Sequence, residues 1–423
     1  MANNSTIDAT ARRLFRAGLI TMCSDGRLLA LHDAAILVYN GRIRMVGNFD
    51  NPPPHDELVE LDAVLLPGFA DVHTHWVQHH VRGHFGGDVL EWLEKHILPE
   101  ETTFCDARLA QQRAEQFFSD TLQAGTVMGM AYSSVHPSAL DIALAETTGR
   151  WRLGNSLMDR MAPASLLEAA VCDIHALEEM ALRYGRERYA LTPRFAPAMS
   201  PDFLRQAGTL AREMGLWVQT HLSESVHEVA LLHELFPGAL DYVDVYDQAG
   251  LVTSRSVFGH GIHLSEREWR CLAQRGAWLA HCPSSNEALD SGRMDLEAVR
   301  HFGVPFALGS DVAAGPSHSM LHVMQRFLAV HRAAGVLLDA SEALYRATLA
   351  GAQCLGWQHD LGSLETGKRA DFVALPRPAG HWQAEGYLEE LLTGSNAELE
   401  QRALGTYLAG RLVTHAQTQH VLA

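Results

Sequence analysis

Apolar residues recur along this chain at two alternating spacings. Short runs dense in Val, Leu, Met and Phe have the length and continuity of buried strands. Between them lie longer stretches in which apolar residues return every three to four positions, one face of a helix. From residue 67 to 358, eight runs have the strand texture: LLPGFADVH, GTVMGMAY, RWRLGNSLM, RYALTPRFA, LWVQTHL, SVFGHGI, AWLAHCP and PFALGSD. Segments such as DARLAQQRAEQFFSDTLQAG, PDFLRQAGTLAREMG and SEREWRCLAQRG separate them with helical spacing. Eight strand–helix units predict an α/β fold, the (β/α)8 TIM barrel. A doubly wound sheet is the rival. Polar residues at several strand ends favour the closed barrel.

The two ends of the chain have a different texture. LFRAGLITMC, AAILVYNGRIRMVG and LVELDAVLL read as strands, and Asn40-Gly41 is a strong hairpin turn. LGSLETGKRADFVAL and GTYLAGRLVTH repeat that pattern near the C-terminus. We therefore expect residues 1–66 and 359–423 to join into a small flanking β-sandwich beside the catalytic barrel of residues 67–358.

Composition narrows the function. The net charge of −17 argues against nucleic acid or an anionic membrane as partner and fits an enzyme for small molecules. The N-terminal MANNSTIDATARR has no apolar run of leader length, and no segment reaches the roughly 18 apolar residues of a membrane span. The six cysteines form no CxxC pair, which points to scattered thiols in a reducing cytoplasm.

Five polar positions stand out because each closes an apolar run. They are His73 and His75 in DVHTH, His221 in VQTHL, His260 in FGHGI and Asp311 in LGSD. Residues i and i+2 of a strand point the same way, so His73 and His75 can reach one ion. Taken singly, each has a blander reading. HxH pairs arise by chance among 24 histidines, and His79, His80 and His84 just downstream read as such surface histidines. A strand-end Asp often caps the next helix. Together, on strands one, five, six and eight, the five describe a catalytic Zn²⁺ site, with Fe²⁺ as the alternative. Glu224, three residues after His221, reads either as a general acid/base over the site or as a helix N-terminal charge.

These motifs (HxH after PGF, THLSE, the GHG histidine, HCPSSN and GSD) resemble the amidohydrolase superfamily. LEWLEKHILPEE, TPRFAP, THLSES and SDVAAGPSHSML are similar to guanine deaminases over about residues 30 to 410. The resemblance implies zinc on His73, His75, His221 and Asp311, with His260 polarising the attacking water and Glu224 carrying protons. It implies that Asp311 helps deliver the second proton. It further implies purine contacts from Gln78, Trp92, Arg194 and Phe195, hydrolysis of guanine to xanthine, and a cytoplasmic homodimer. Two-metal relatives carry a lysine at the end of strand four; here that strand ends TPRFAP, and the two lysines, Lys95 and Lys368, lie elsewhere. A single metal is therefore expected. The sequence departs from the family at Met161 and at Glu287, after HCPSSN. If Glu287 borders the pocket, it adds a negative charge and favours a pterin or a modified purine such as 8-oxoguanine. A triazine-type hydrolase and a non-catalytic barrel are the remaining alternatives.

Overall fold

The computed structural model describes residues 11–85 and 88–415. Residues 1–10, within the stretch inspected for a leader, lie outside the described residues, as do 416–423. The chain opens with β1 (Arg13–Met22), β2 (Leu28–Tyr39), β3 (Arg42–Asn48) and β4 (Glu57–Pro67). Eight further strands follow, alternating with helices. They are β5 (Phe69–His75), β6 (Thr126–Ser133), β7 (Arg150–Leu157), β8 (Ala190–Pro193), β9 (Trp217–Leu222), β10 (Ser256–His260), β11 (Trp278–His281) and β12 (Phe306–Leu308). The chain then returns through β13 (Phe372–Pro376), β14 (Gly405–Leu408) and β15 (Arg411–His415).

Strands β5 to β12 pair in sequence order, each parallel to the next. Every residue of β5, β6 and β10 is buried, as expected for parallel strands covered on both faces. The ring closes at its C-terminal rim. Asp311 N donates to His73 O at 2.8 Å, and His75 N donates to Val312 O at 3.1 Å. Closure thus passes through two of the candidate ligand segments. Helical Phe117, Leu140, Phe203, Leu272 and Phe327 are buried with the strand residues in one continuous outer core.

The remaining seven strands form one mixed sheet, ordered β15-β14-β13-β4-β1-β2-β3. It draws on both ends of the chain and curls upon itself. Phe15 of β1 lies three places from β14, yet its ring is 5.7 Å from that of Tyr407. The curled sheet encloses its own core of Phe15, Leu19, Ile36, Leu65 and Phe372.

Two strand boundaries differ from the sequence pattern. The run LLPGFADVH is two strands: Leu65, Leu66 and Pro67 end β4 of the flanking sheet, and β5 begins after Gly68. The apolar run is continuous because both sheets bury it. RYALTPRFA yields only the four residues of β8, which ends at Pro193, a residue without a backbone N–H for the ladder.

Candidate active site

The C-terminal rim gathers the candidate donors. Atoms of His73, His221, His260 and Asp311 all lie within 4.8 Å of one another. His75 Nε2 is 3.2 Å from His221 Nε2 and 3.4 Å from Asp311 Oδ1, while His73 Nε2 is also 3.4 Å from that oxygen. These side chains are buried or nearly so. Asp311 caps no helix, because the next one starts at Met320 with Ser319 before it. Its side chain is therefore free for the site.

The packing around His73 explains two motif glycines. A Cβ on Gly259 would lie 2.5 Å from His73 Cε1, and one on Gly309 would lie 2.8 Å from His73 Cβ. Only glycine leaves room for the imidazole in GHG and GSD. Asp71, two residues before His73, accepts from Ser310 N at 3.0 Å and from His73 N at 3.3 Å. It ties β5 to the Asp311 segment. Burial pushes the Asp71 carboxyl up to about 6.

A metal ion fits this donor set. Both ring nitrogens of His73 and Nε2 of His260 are buried without a hydrogen-bond partner. Orphaned imidazole nitrogens are costly unless something coordinates them. The rings of His260 and His221 are oriented for the same point. His260 Nδ1 meets Asn286 Oδ1 at 2.9 Å, and His221 Nδ1 donates to Arg194 O at 2.6 Å. Each leaves Nε2 facing the cluster, the arrangement metal-binding histidines adopt. Burial also depresses the imidazoles, His75 to about 4 and His221 well below the usual value, so both are neutral and ready to ligate. Burial would raise the Asp311 carboxyl, but contacts from His73 and His75 prevail and hold it well below the carboxylate range.

Glu224 stands beside the cluster, its Oε2 3.5 Å from His260 Nε2. The helix Val226–Leu235 is capped by Ser225 and Glu228 in a reciprocal pair, so Glu224 is not needed for that task. Burial, then the negative charges of Asp311 and Glu228, push its carboxyl well above the ordinary range. Ser291 Oγ donates to Glu224 at 3.5 Å, and Ser285 Oγ donates to Asp311 Oδ2 at 2.6 Å. With Asn286, the segment after β11 therefore supports three of the site's side chains. HCPSSN signalled that segment, but not which side chain meets which ligand.

The same pocket is lined by Gln78, Trp92, Arg194 and Phe195, with Val89, Leu90 and Leu93, and Gln78 Nε2 lies 3.2 Å from His75 Nδ1. All four candidate substrate residues therefore line the cavity. Trp92 is fixed by its indole N–H, which donates to His84 O at 2.7 Å. A residue that sequence reasoning missed, Glu101, is fully buried behind them and pairs with Arg194 at 2.7 Å.

Two expectations need correction. Glu287 does not border the pocket: it is 51% exposed and forms a two-pronged pair with Arg326 at 2.7 and 2.9 Å. Its helix, Pro283–Ala288, turns Ser285 and Asn286 inward and Glu287 outward. Met161, the other departure from the family, is 43% exposed and lines a second cavity that shares Leu90, Leu93, Arg194 and Phe195 with the first. His79 is not a surface histidine; it is buried, with Nε2 2.8 Å from Asp120 Oδ2.

A (β/α)8 barrel with a His/Asp cluster that could hold a metal ion and a buried carboxylate at its C-terminal rim has the layout of a hydrolase. More specifically, the chain belongs to the amidohydrolase family, whose family model matches residues 64–398. Over 401 residues it is 34% identical to the guanine deaminase of Escherichia coli (strain K12), covering 90% of this chain and 91% of that one. It superimposes on the solved E. coli guanine deaminase with a TM-score of 0.90 at 31% identity, over 96% of this chain and 100% of the other. A guanine deaminase from C. acetobutylicum, solved with guanine in its active site, gives a TM-score of 0.86 at 25% identity, covering 95% and 100%. Among the described residues, no helix is long and apolar enough to cross a membrane.

Proposed function

We propose that this chain is a guanine deaminase, converting guanine and water to xanthine and ammonia. The observation that carries this is one pocket lined by two walls of different chemistry. His75, His221, Asp311 and Glu224 form one wall, and Arg194 and Gln78 form the other. The first wall suits hydrolysis. The second suits an oxo-bearing ring, because a guanidinium and an amide can read a carbonyl edge.

His73, His75, His221 and Asp311 would hold a zinc ion, with Fe²⁺ as the alternative and His260 beside it. When bound, such an ion supplies Lewis acidity that lowers the pKa of water at the site toward about 7. Glu224 takes a proton from the attacking water and passes it to the ring nitrogen next to C2. His260 holds the water's oxygen toward the ring. Asp311 helps carry the second proton to the departing amine. A C2–O bond forms, the C2–N bond breaks, and ammonia leaves without any redox change. Trp92 and Phe195 pack near the purine.

The exposure of Glu287 removes the reason to favour a pterin. On this reading the chain is a cytoplasmic homodimer acting in purine breakdown, as the family resemblance implies. The test is ammonia release and product identity with guanine, 8-oxoguanine, pterins, cytosine and adenine. Guanine should be the best substrate and xanthine the product. Faster turnover of adenine or a pterin would overturn the reading.

A further inference from the structure

Glu101 lies in the short helix Leu98–Glu101 and is 0% exposed. A carboxylate this deeply buried must be paired. It meets Arg194 through Nη1, at 2.9 Å to Oε1 and 2.7 Å to Oε2. The same Oε1 accepts from Gln78 Nε2 at 2.8 Å. One carboxylate thus meets both polar groups of the substrate wall, and the Gln78 amide nitrogen also lies 3.2 Å from His75 Nδ1.

The consequence is directional. An amide whose N–H donates to Glu101 presents its oxygen elsewhere. Gln78 Oε1 has no hydrogen-bond partner among the described residues, and Gln78 lines the pocket. Arg194 bonds to side chains only through Nη1 among the described residues, so Nε and Nη2 remain to donate. The wall therefore offers a fixed acceptor next to a fixed cationic donor. Its complement is a ring carbonyl adjacent to a ring N–H, a lactam edge. An amidine edge, with the donor and acceptor exchanged, would leave the wall's buried groups unpaired.

We infer that Glu101 is a positioning residue that makes Gln78 and Arg194 selective for a lactam-edged ring. This rests on the deaminase reading above. It adds the device that sets edge selectivity and assigns it to a residue that need not touch the substrate.

The test compares guanine with 2,6-diaminopurine, which keeps the 2-amino leaving group but presents an amidine edge. In the metal-loaded parent, guanine should be preferred in kcat/KM. Glu101→Gln should narrow that preference by at least about tenfold, chiefly through KM for guanine, because its amide can turn either face to Gln78. Metal content should stay unchanged. Glu101→Asp, which keeps the charge, should retain most of the preference. A merely structural role would lower both substrates together, and an unchanged ratio in Glu101→Gln would overturn the inference while leaving the deaminase reading intact. A parent inactive on guanine would instead sink the deaminase reading. If the variants do not fold, the parent still decides through competitive inhibition. Hypoxanthine should bind well and adenine poorly, and equal inhibition by the two would overturn a fixed acceptor–donor wall.

Discussion

Gly259→Ala is a one-carbon change that should disable the site from a position that binds neither metal nor substrate. The new Cβ would lie 2.5 Å from His73 Cε1. Ordinary carbon contacts sit near 3.5 Å, so something must move by about 1 Å. His73 has little freedom to do so. Its ring is enclosed by those of His75, Tyr132, His221 and His260, at centroid distances of 5.4, 5.1, 4.8 and 5.3 Å. Its backbone is clamped by Gly309, where an added Cβ would lie 3.0 Å from His73 O. Forcing a methyl into such a site costs about 1–3 kcal/mol. A displacement of about 1 Å at a reacting centre costs about 10²-fold in rate. Gly259→Ala should therefore fold with a lower Tm, retain less metal after dialysis, and lose at least about 10²-fold in kcat/KM. Elemental analysis, thermal unfolding of the chelated protein and steady-state kinetics read the three effects. Full metal content with activity within a few-fold of the parent would refute the packing argument.

Other expectations follow from single contacts. Glu224→Gln should keep the fold and metal but lose about 10²–10⁴-fold in kcat, and a near-parental kcat would mean that another group carries the proton. Glu287→Ala should leave kcat/KM within about twofold, because the residue is exposed and pairs only with Arg326 among the described residues, and such surface pairs contribute little. A large change in substrate preference would return Glu287 to the pocket. Burial depresses His318 to about 3 and His322 and His331 to about 4, below the 6.5 of unfolded histidine. The unfolded chain therefore binds more protons as pH falls below about 6.5, and stability should decline between about 6.5 and 4. A Tm that does not drop from pH 7.5 to pH 5 would contradict that sign.

The sequence revealed those parts of the site whose geometry is local. The i, i+2 spacing of His73 and His75 is a strand property, and their convergence with His221, His260 and Asp311 follows once the strands close into a ring. The supporting residues depend on tertiary direction and left no such mark. Nothing in LPEE says that Glu101 turns inward to Arg194 rather than outward to solvent. Nothing in SSNE says that Ser285 and Asn286 face the donors while Glu287 faces Arg326. The burial of His79 is hidden for the same reason: its neighbours Asp120 and the ring of His318, 5.1 Å away, are remote in sequence. The curl of the flanking sheet was equally hidden, because alternation specifies faces and not how far a sheet bends.

On the deaminase reading, one His/Asp cluster holds one ion whose presence enables guanine hydrolysis. The direct measurement is to chelate the protein and titrate Zn²⁺ back while following xanthine formation from guanine. Activity should rise linearly and saturate at one equivalent per chain. Saturation at two equivalents, or full xanthine formation by the metal-free chain, would contradict the account.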